Sequence, residues 1–225
     1  MTPQDLLRLH PFFSTLAAPD MRKLLAQTVR RRVPAGRVLF RKEEGGDGLY
    51  GVLSGRIAFT IDSVDGKELI LNIASPGEFF GEIALLDGLG RTAGAVARDD
   101  CELLFIGRGE FMDFVRQRPE TMLHIIALLC ARLRRSTGYI EDSAFLGLAT
   151  RLAKQLVVLI HNGQGRPGEA IIRISQAELA NMLGVSRERV SRQLTVWSEA
   201  GILVQGRGMI IVRDEQALKR VTGGG

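Results

Sequence analysis

The sequence predicts an α+β chain: a β-barrel or jelly roll, then one long helix, then a smaller domain built on short helices. Three patterns carry that expectation. Between Val33 and Ile106, short apolar or alternating runs are separated by turn residues, as in closed antiparallel sheets. From Met122 to Ile140, apolar residues step by 4 and 3. After Ser175, two short helical patterns flank Gly184. The length, 225 residues, suits two domains, and 45% hydrophobic content is enough for a core.

Taken in order, residues 2–28 read as helical. Leu6, Leu7 and Leu9, then Leu16, Met21, Leu24 and Leu25, keep helical spacing, broken by Pro11 and Pro19. Arg30-Arg31-Arg32 reads as a solvated edge before the first strand. Strands are expected over Arg37–Phe40, Leu49–Leu53, Arg56–Ile61, Leu69–Ile73, Thr92–Ala97 and Cys101–Ile106. Turns fall at Gly45–Gly48, Ser54-Gly55, Asp65-Gly66, Ser75–Gly77 and Asp99-Asp100, and Asp65-Gly66 signals a hairpin.

A short helix is expected over Gly109–Phe114. The long helix follows, with Pro119 in its first turn and Glu120 at its positive end. Its seam is Met122, Ile126, Leu129, Leu133, Ser136 and Ile140. Such a seam either pairs two copies of the chain or packs the helix on its own barrel. Ile125 and Leu128 offer a second edge for the barrel and favour the pairing. The domain boundaries are set at 1–117 for the barrel, 118–142 for the long helix, 143–148 for a hinge and 149–225 for the C-terminal domain. Within that domain a helix is expected over Ala149–His161, a loop over Asn162–Gly168 and a strand over Ile171–Ile174.

One stretch interrupts the strand array, where a barrel places a ligand site: Pro76–Thr92. Gly81 permits close approach of backbone to a ligand, and the residues after it can open a short helix whose free N–H groups favour an anion. Arg91 supplies a planar, permanently charged donor suited to phosphate, and Thr92 adds a hydroxyl. Glu82 is an acceptor for a sugar hydroxyl. Together they suit a nucleotide whose sugar and phosphate lie close together.

The C-terminal part carries a different signal. Ser175–Glu178 is a capping box that starts a helix ending near Leu183; Gly184-Val185 turns, and Ser186 caps a second helix, Arg187–Ala200. This is a helix-turn-helix pattern. Val190, Leu194 and Trp197 face the core, which leaves Arg187, Glu188, Ser191 and Arg192 outward near the helix start, where base edges are read. Leu203–Gln205 and Met209–Val212 flank Gly206–Gly208 as a hairpin wing that offers Arg207 to a phosphate. Residues 143–225 hold 11 Lys+Arg against 6 Asp+Glu, the whole of the chain's net +5. A basic C-terminal third fits double-stranded DNA as partner, and equally an ordinary basic surface.

These motifs resemble the CRP/FNR family of bacterial transcription regulators over essentially the full length, its cyclic-AMP receptor type above all. FGEIALLDGLGRTA (Phe80–Ala93) is similar to that family's phosphate-binding cassette. The resemblance implies that Glu82 accepts from the ribose 2′-hydroxyl and that Arg91 and Thr92 bind the cyclic phosphate. Gly81, Ile83 and Ala84 would line the site through backbone. ARLRRSTGYIEDSAFL (Ala131–Leu146) resembles the dimer helix, which makes Ser136 and Thr137 the hydroxyls that meet the adenine, one from each subunit. VSRERVSRQL (Val185–Leu194) resembles the recognition helix, with Arg187, Glu188 and Arg192 at its base-reading positions and a TGTGA-type palindrome as the implied operator.

The expected function is therefore a homodimeric transcription regulator controlled by cyclic AMP, with RNA polymerase as an implied partner. Cyclic GMP, another effector or constitutive DNA binding remain alternatives, because hydroxyls both donate and accept. No cofactor is expected beyond the effector. An enzyme such as a nucleotide phosphodiesterase is disfavoured, since His10, His124 and His161 are scattered without metal-ligand spacing. No apolar run of about 18 residues argues for a membrane span. With no signal peptide visible and Cys101 and Cys130 isolated, the cytoplasm is the expected compartment.

Overall fold

The computed structural model describes residues 1–14, 16–64, 66–119, 121–161 and 170–223, without the side chains of residues 11 and 12. It divides into two compact units, Met1–Arg132 and Leu133–Gly225. Asp65 of the expected hairpin turn, Glu120, the loop 162–168 and the last glycines lie outside the described residues.

In the first unit, three short helices come first: α1 (Pro3–Leu9), α2 (Pro11–Ser14) and α3 (Ala18–Ala26). The helical stretch is broken at Pro11 and Pro19, as the sequence suggests, into separate helices. Each proline stands in the first turn of its own helix, where a missing N–H costs no intrahelical bond. The strands are β1 (Thr28–Val33), β2 (Val38–Phe40), β3 (Gly48–Ser54), β4 (Ile57–Asp62), β5 (Glu68–Ala74) and β6 (Phe79–Phe80). Helix α4 (Glu82–Asp87) precedes β7 (Gly94–Ala97), β8 (Cys101–Gly107) and α5 (Arg108–Gln117).

Two four-stranded antiparallel sheets result, ordered β1-β8-β3-β6 and β2-β7-β4-β5. The arginine run lies in the edge strand β1 rather than before it, with Arg30 and Arg32 exposed as expected. Arg30–Arg32 lie inside β1 and pair with Leu104, Leu103 and Glu102 of β8, and the Arg31 guanidinium stacks 3.5 Å over the Phe105 ring. A stem packed on an aromatic face lets a strand carry this charge. Thr92 and Ala93 precede β7 rather than belonging to it.

β3 is buried on both faces by the period of two. Tyr50 and Val52 point into the barrel with Phe40, Phe80, Ala95 and Leu103. Leu49 and Leu53 point the other way, against Leu6, Phe13, Phe111 and Ile125.

Helix α6 (Thr121–Phe145) runs from the first unit into the second. Of its seam, Ile126 is 50% exposed and Leu133 and Ile140 are each 68% exposed, while Ile125 is buried. The chain leaves helix only at Leu146 and Gly147 before α7 (Leu148–His161). Then come β9 (Ala170–Ile172), α8 (Gln176–Leu183), α9 (Arg187–Glu199), β10 (Leu203–Gly206), β11 (Met209–Val212) and α10 (Glu215–Val221). The last helix has no counterpart in the sequence expectations; Asp214 caps it, accepting from Ala217 N at 2.8 Å. The small sheet is ordered β10-β11-β9, and Leu152, Leu156, Leu183, Val190, Leu194, Trp197 and Ile210 form the buried interior of this unit. No helix among the described residues is long and apolar enough to cross a membrane.

Candidate functional site

The buried polar residues among those described are Thr60, Glu82, Arg91 and Thr121, so two of the four come from the glycine–glutamate stretch. Gly81 sets them up. It is the left-handed N-cap of α4, with φ of 94°, and a Cβ there would stand 2.6 Å from Arg91 Nη1. Only glycine combines that backbone conformation with that approach.

Arg91 is held on every side. Nη1 donates to the Gly81 carbonyl at 2.8 Å. Nη2 donates to Asp47 Oδ1 at 2.7 Å and to the Gly48 carbonyl at 3.1 Å. The guanidinium lies 4.2 Å over the Phe40 ring, and its Nε has no hydrogen-bond partner. Glu43 N and Arg91 O, then Arg91 N and Glu44 O, lock the backbone at 2.9 and 2.8 Å.

Glu82 opens α4 and is just as enclosed. Arg132 Nη1 approaches Oε1 to 2.7 Å, while Arg132 Nη2 donates to the Phe79 carbonyl at 2.9 Å. The ion pair is close but not aligned as a hydrogen bond, and neither Glu82 oxygen has a hydrogen-bond partner among the described residues. Burial pushes this carboxyl above its ordinary range, against the pull of Arg132. A dry carboxylate with unused acceptors, in the same unit as a dry guanidinium with an unused N–H, suits a ligand that carries a hydroxyl and an anion. Ala84 is buried and Ile83 half-buried on α4, and Thr92 is exposed beside Arg91.

Two partners went unnoticed in the sequence. Arg132 stands four residues before Ser136, a helical spacing that could have pointed to it. Asp47, in a glycine-rich turn 44 residues from Arg91, gave no comparable signal. Ser136 and Thr137 are both exposed on α6 in the second unit, and the Thr137 hydroxyl donates to the Leu133 carbonyl at 3.0 Å.

The helix pair α8–α9 follows the capping pattern at one end only. Ser175 Oγ accepts from Glu178 N at 3.1 Å, and Gly184 closes α8 in the left-handed region. Ser186 is the N-cap residue of α9 but makes no side-chain capping bond. The Glu188 backbone N–H, and then the nearby Ser186 side chain, hold the Glu188 carboxyl below its ordinary range. Arg187, Glu188 and Arg192 are exposed and Ser191 half-exposed, with Val190, Leu194 and Trp197 buried behind them. Arg207 is exposed at the turn between β10 and β11.

Residues 30–118 match the family described as "Cyclic nucleotide-binding domain", and residues 150–221 the "Crp-like helix-turn-helix domain". The "Cyclic AMP receptor protein" of Thermus thermophilus is 34% identical over 95% of this chain and 97% of its own. The "CRP-like cAMP-activated global transcriptional regulator" of Mycobacterium tuberculosis is 30% identical over 83% and 85%. Among solved structures, the regulator CLP of Xanthomonas campestris, described as c-di-GMP responsive, is 27% identical with a TM-score of 0.76, covering 87% of this chain and 99% of that one.

Proposed function

The chain belongs to the CRP/FNR family of cyclic-nucleotide-responsive, DNA-binding transcription regulators, and we propose that it acts in the cytoplasm as a homodimer whose effector is cyclic AMP. The observation that carries the ligand reading is the buried Glu82 carboxylate, without a hydrogen-bond partner, in the same unit as the buried Arg91. The names of the Thermus and Mycobacterium relatives support cyclic AMP.

In this reading Glu82 takes the ribose 2′-hydroxyl, and Arg91 and Thr92 take the cyclic phosphate. The backbone of Gly81, Ile83 and Ala84 lines the pocket. Ser136 of one subunit and Thr137 of the other meet the adenine. Residues 1–117 form the ligand domain, 118–142 the dimer helix, 143–148 the hinge and 149–225 the DNA domain. The exposed Ile126, Leu133 and Ile140 support a paired helix, since each leaves apolar area in water in the single chain. The ligand shifts the dimer toward the arrangement it binds better, one that sets both α9 helices about 34 Å apart. Arg187, Glu188, Ser191 and Arg192 then read a TGTGA-type palindrome, Arg207 touches a phosphate, and the bound dimer engages RNA polymerase.

A second reading keeps the DNA half and changes the effector. The Xanthomonas neighbour, described as responsive to c-di-GMP, favours testing other cyclic nucleotides, cyclic GMP included. Gel retardation of the palindrome with each nucleotide decides. Retardation with cyclic AMP alone is expected. Equal retardation in every lane, ligand-free included, would mean constitutive binding.

A further inference from the structure

Asp47 stands between two arginines. Its Oδ1 accepts from Arg91 Nη2 at 2.7 Å, and its Oδ2 lies 3.4 Å from Arg31 Nη1. The Tyr50 hydroxyl donates to both oxygens at 3.0 and 2.9 Å, and itself accepts from Arg31 Nη1 at 3.0 Å. The Asp47 carbonyl accepts from Arg108 N at 3.0 Å, which fixes where the side chain starts. The carboxylate is half in water, at 51% exposure, whereas the Arg91 side chain is 2% exposed.

A guanidinium grips phosphate most strongly through two parallel N–H groups. On Arg91 the side edge would supply Nε and Nη2. Nε is unused, but Nη2 already serves Asp47 and the Gly48 carbonyl. Gly48 is strand backbone in β3 and stays. Asp47 can leave, because a half-hydrated carboxylate gives up little on turning away. It also has a reason to leave. A phosphate on the same edge would put two anions on one donor.

We infer that Asp47 is a resident competitor on the phosphate-binding arginine: the cyclic phosphate displaces its carboxylate from Arg91, and the carboxylate passes to Arg31 and the Tyr50 hydroxyl. Arg31 is already placed to receive it, stacked on Phe105 inside β1. Tyr50 stays a donor throughout, since burial first, then Asp47, pushes its hydroxyl up to about 12. Before ligand arrives, Asp47 keeps the buried guanidinium compensated. Afterwards it is the cost that holds affinity below what the cassette offers. This rests on the cassette being the cyclic-nucleotide site.

Calorimetric titration of the full chain with cyclic AMP tests it, using wild type, Asp47→Asn, Arg31→Gln and the double variant, each checked for folding by its melting curve. Asp47→Asn keeps an acceptor toward Arg91 but removes the charge, and binding is expected to tighten about tenfold. Arg31→Gln takes away the landing partner, and binding is expected to weaken roughly threefold. In the double variant the Arg31 change has no further effect, because no carboxylate remains to be received. Asp47→Ser serves the same purpose should the Asn variant fold poorly. Wild type that gives no heat overturns the cyclic-AMP reading and this inference together. Wild type that binds, with unchanged or weaker binding by Asp47→Asn, overturns the inference alone and leaves Asp47 as a brace for Arg91.

Discussion

Arginine does opposite work in the two units. In the barrel, Arg91 is sealed under protein and every edge but Nε is engaged before any ligand arrives. On α9 and the wing, Arg187, Arg192 and Arg207 stand in water, and Arg192 Nε makes a long contact of 3.5 Å with the Glu188 carbonyl. The difference fits the two ligands proposed above. A small nucleotide offers few groups, so each contact must be dry and fixed to count. DNA offers a dense row of phosphates, and binding gains from releasing condensed counterions onto cations that were solvated beforehand. A buried arginine must trade partners; an exposed one only gives up water.

Acid separates the units most. Burial first, then the nearby Arg132 and His124, hold His10 down to about 4, against an ordinary 6.5. A base with a depressed folded pKa leaves the unfolded chain binding more protons below pH 6.5. Stability of the first unit is therefore lost as pH falls from about 6.5 to 4, by about 3 kcal/mol from this residue. The raised Glu82 carboxyl works in the other direction, so the check is the difference between wild type and His10→Leu. Denaturant titration at pH 7 and 4.5 should show the variant losing less.

Next in size is Arg91→Ala, expected to weaken cyclic AMP binding by about 2–3 kcal/mol in calorimetry. The isolated contacts of α9 are untouched, so ligand-free DNA affinity holds. Arg192→Ala should cost about 1–3 kcal/mol at one base pair and relax choice there, whereas Arg207→Ala should weaken all sequences alike and lower the salt slope by about 1. Binding measured across a site library and a salt series distinguishes these. The smallest contrast lies at the two serine caps. Ser175→Ala should cost about 1 kcal/mol of stability in denaturant melts, and Ser186→Ala only a few tenths, because only Ser175 makes its capping bond.

What could be read in the sequence was local. Ser175 announces α8 because its partner is three residues away, and Gly184 marks the turn because its conformation is its own. Glu82 and Arg91 were legible as chemistry, since few short stretches place a carboxylate, an arginine and a left-handed glycine together. Their actual partners were not. Asp47 and Arg132 reach the cassette from 44 and 50 residues away in sequence, and no period or cap encodes such a meeting. The place of Arg30–Arg32 inside β1 was hidden for a related reason. Three consecutive charges read as surface until the Phe105 ring across the sheet gives one of them a place to lie.

Ile126, Leu133 and Ile140 leave a ladder of bare aliphatic rungs along α6. If two chains must meet before the site is complete, effector affinity is itself a function of how many copies the cell holds. Dilution lowers the apparent response to a fixed nucleotide level, and overproduction raises it with no change in the nucleotide. The regulator would then report a product of two abundances, the messenger's and its own.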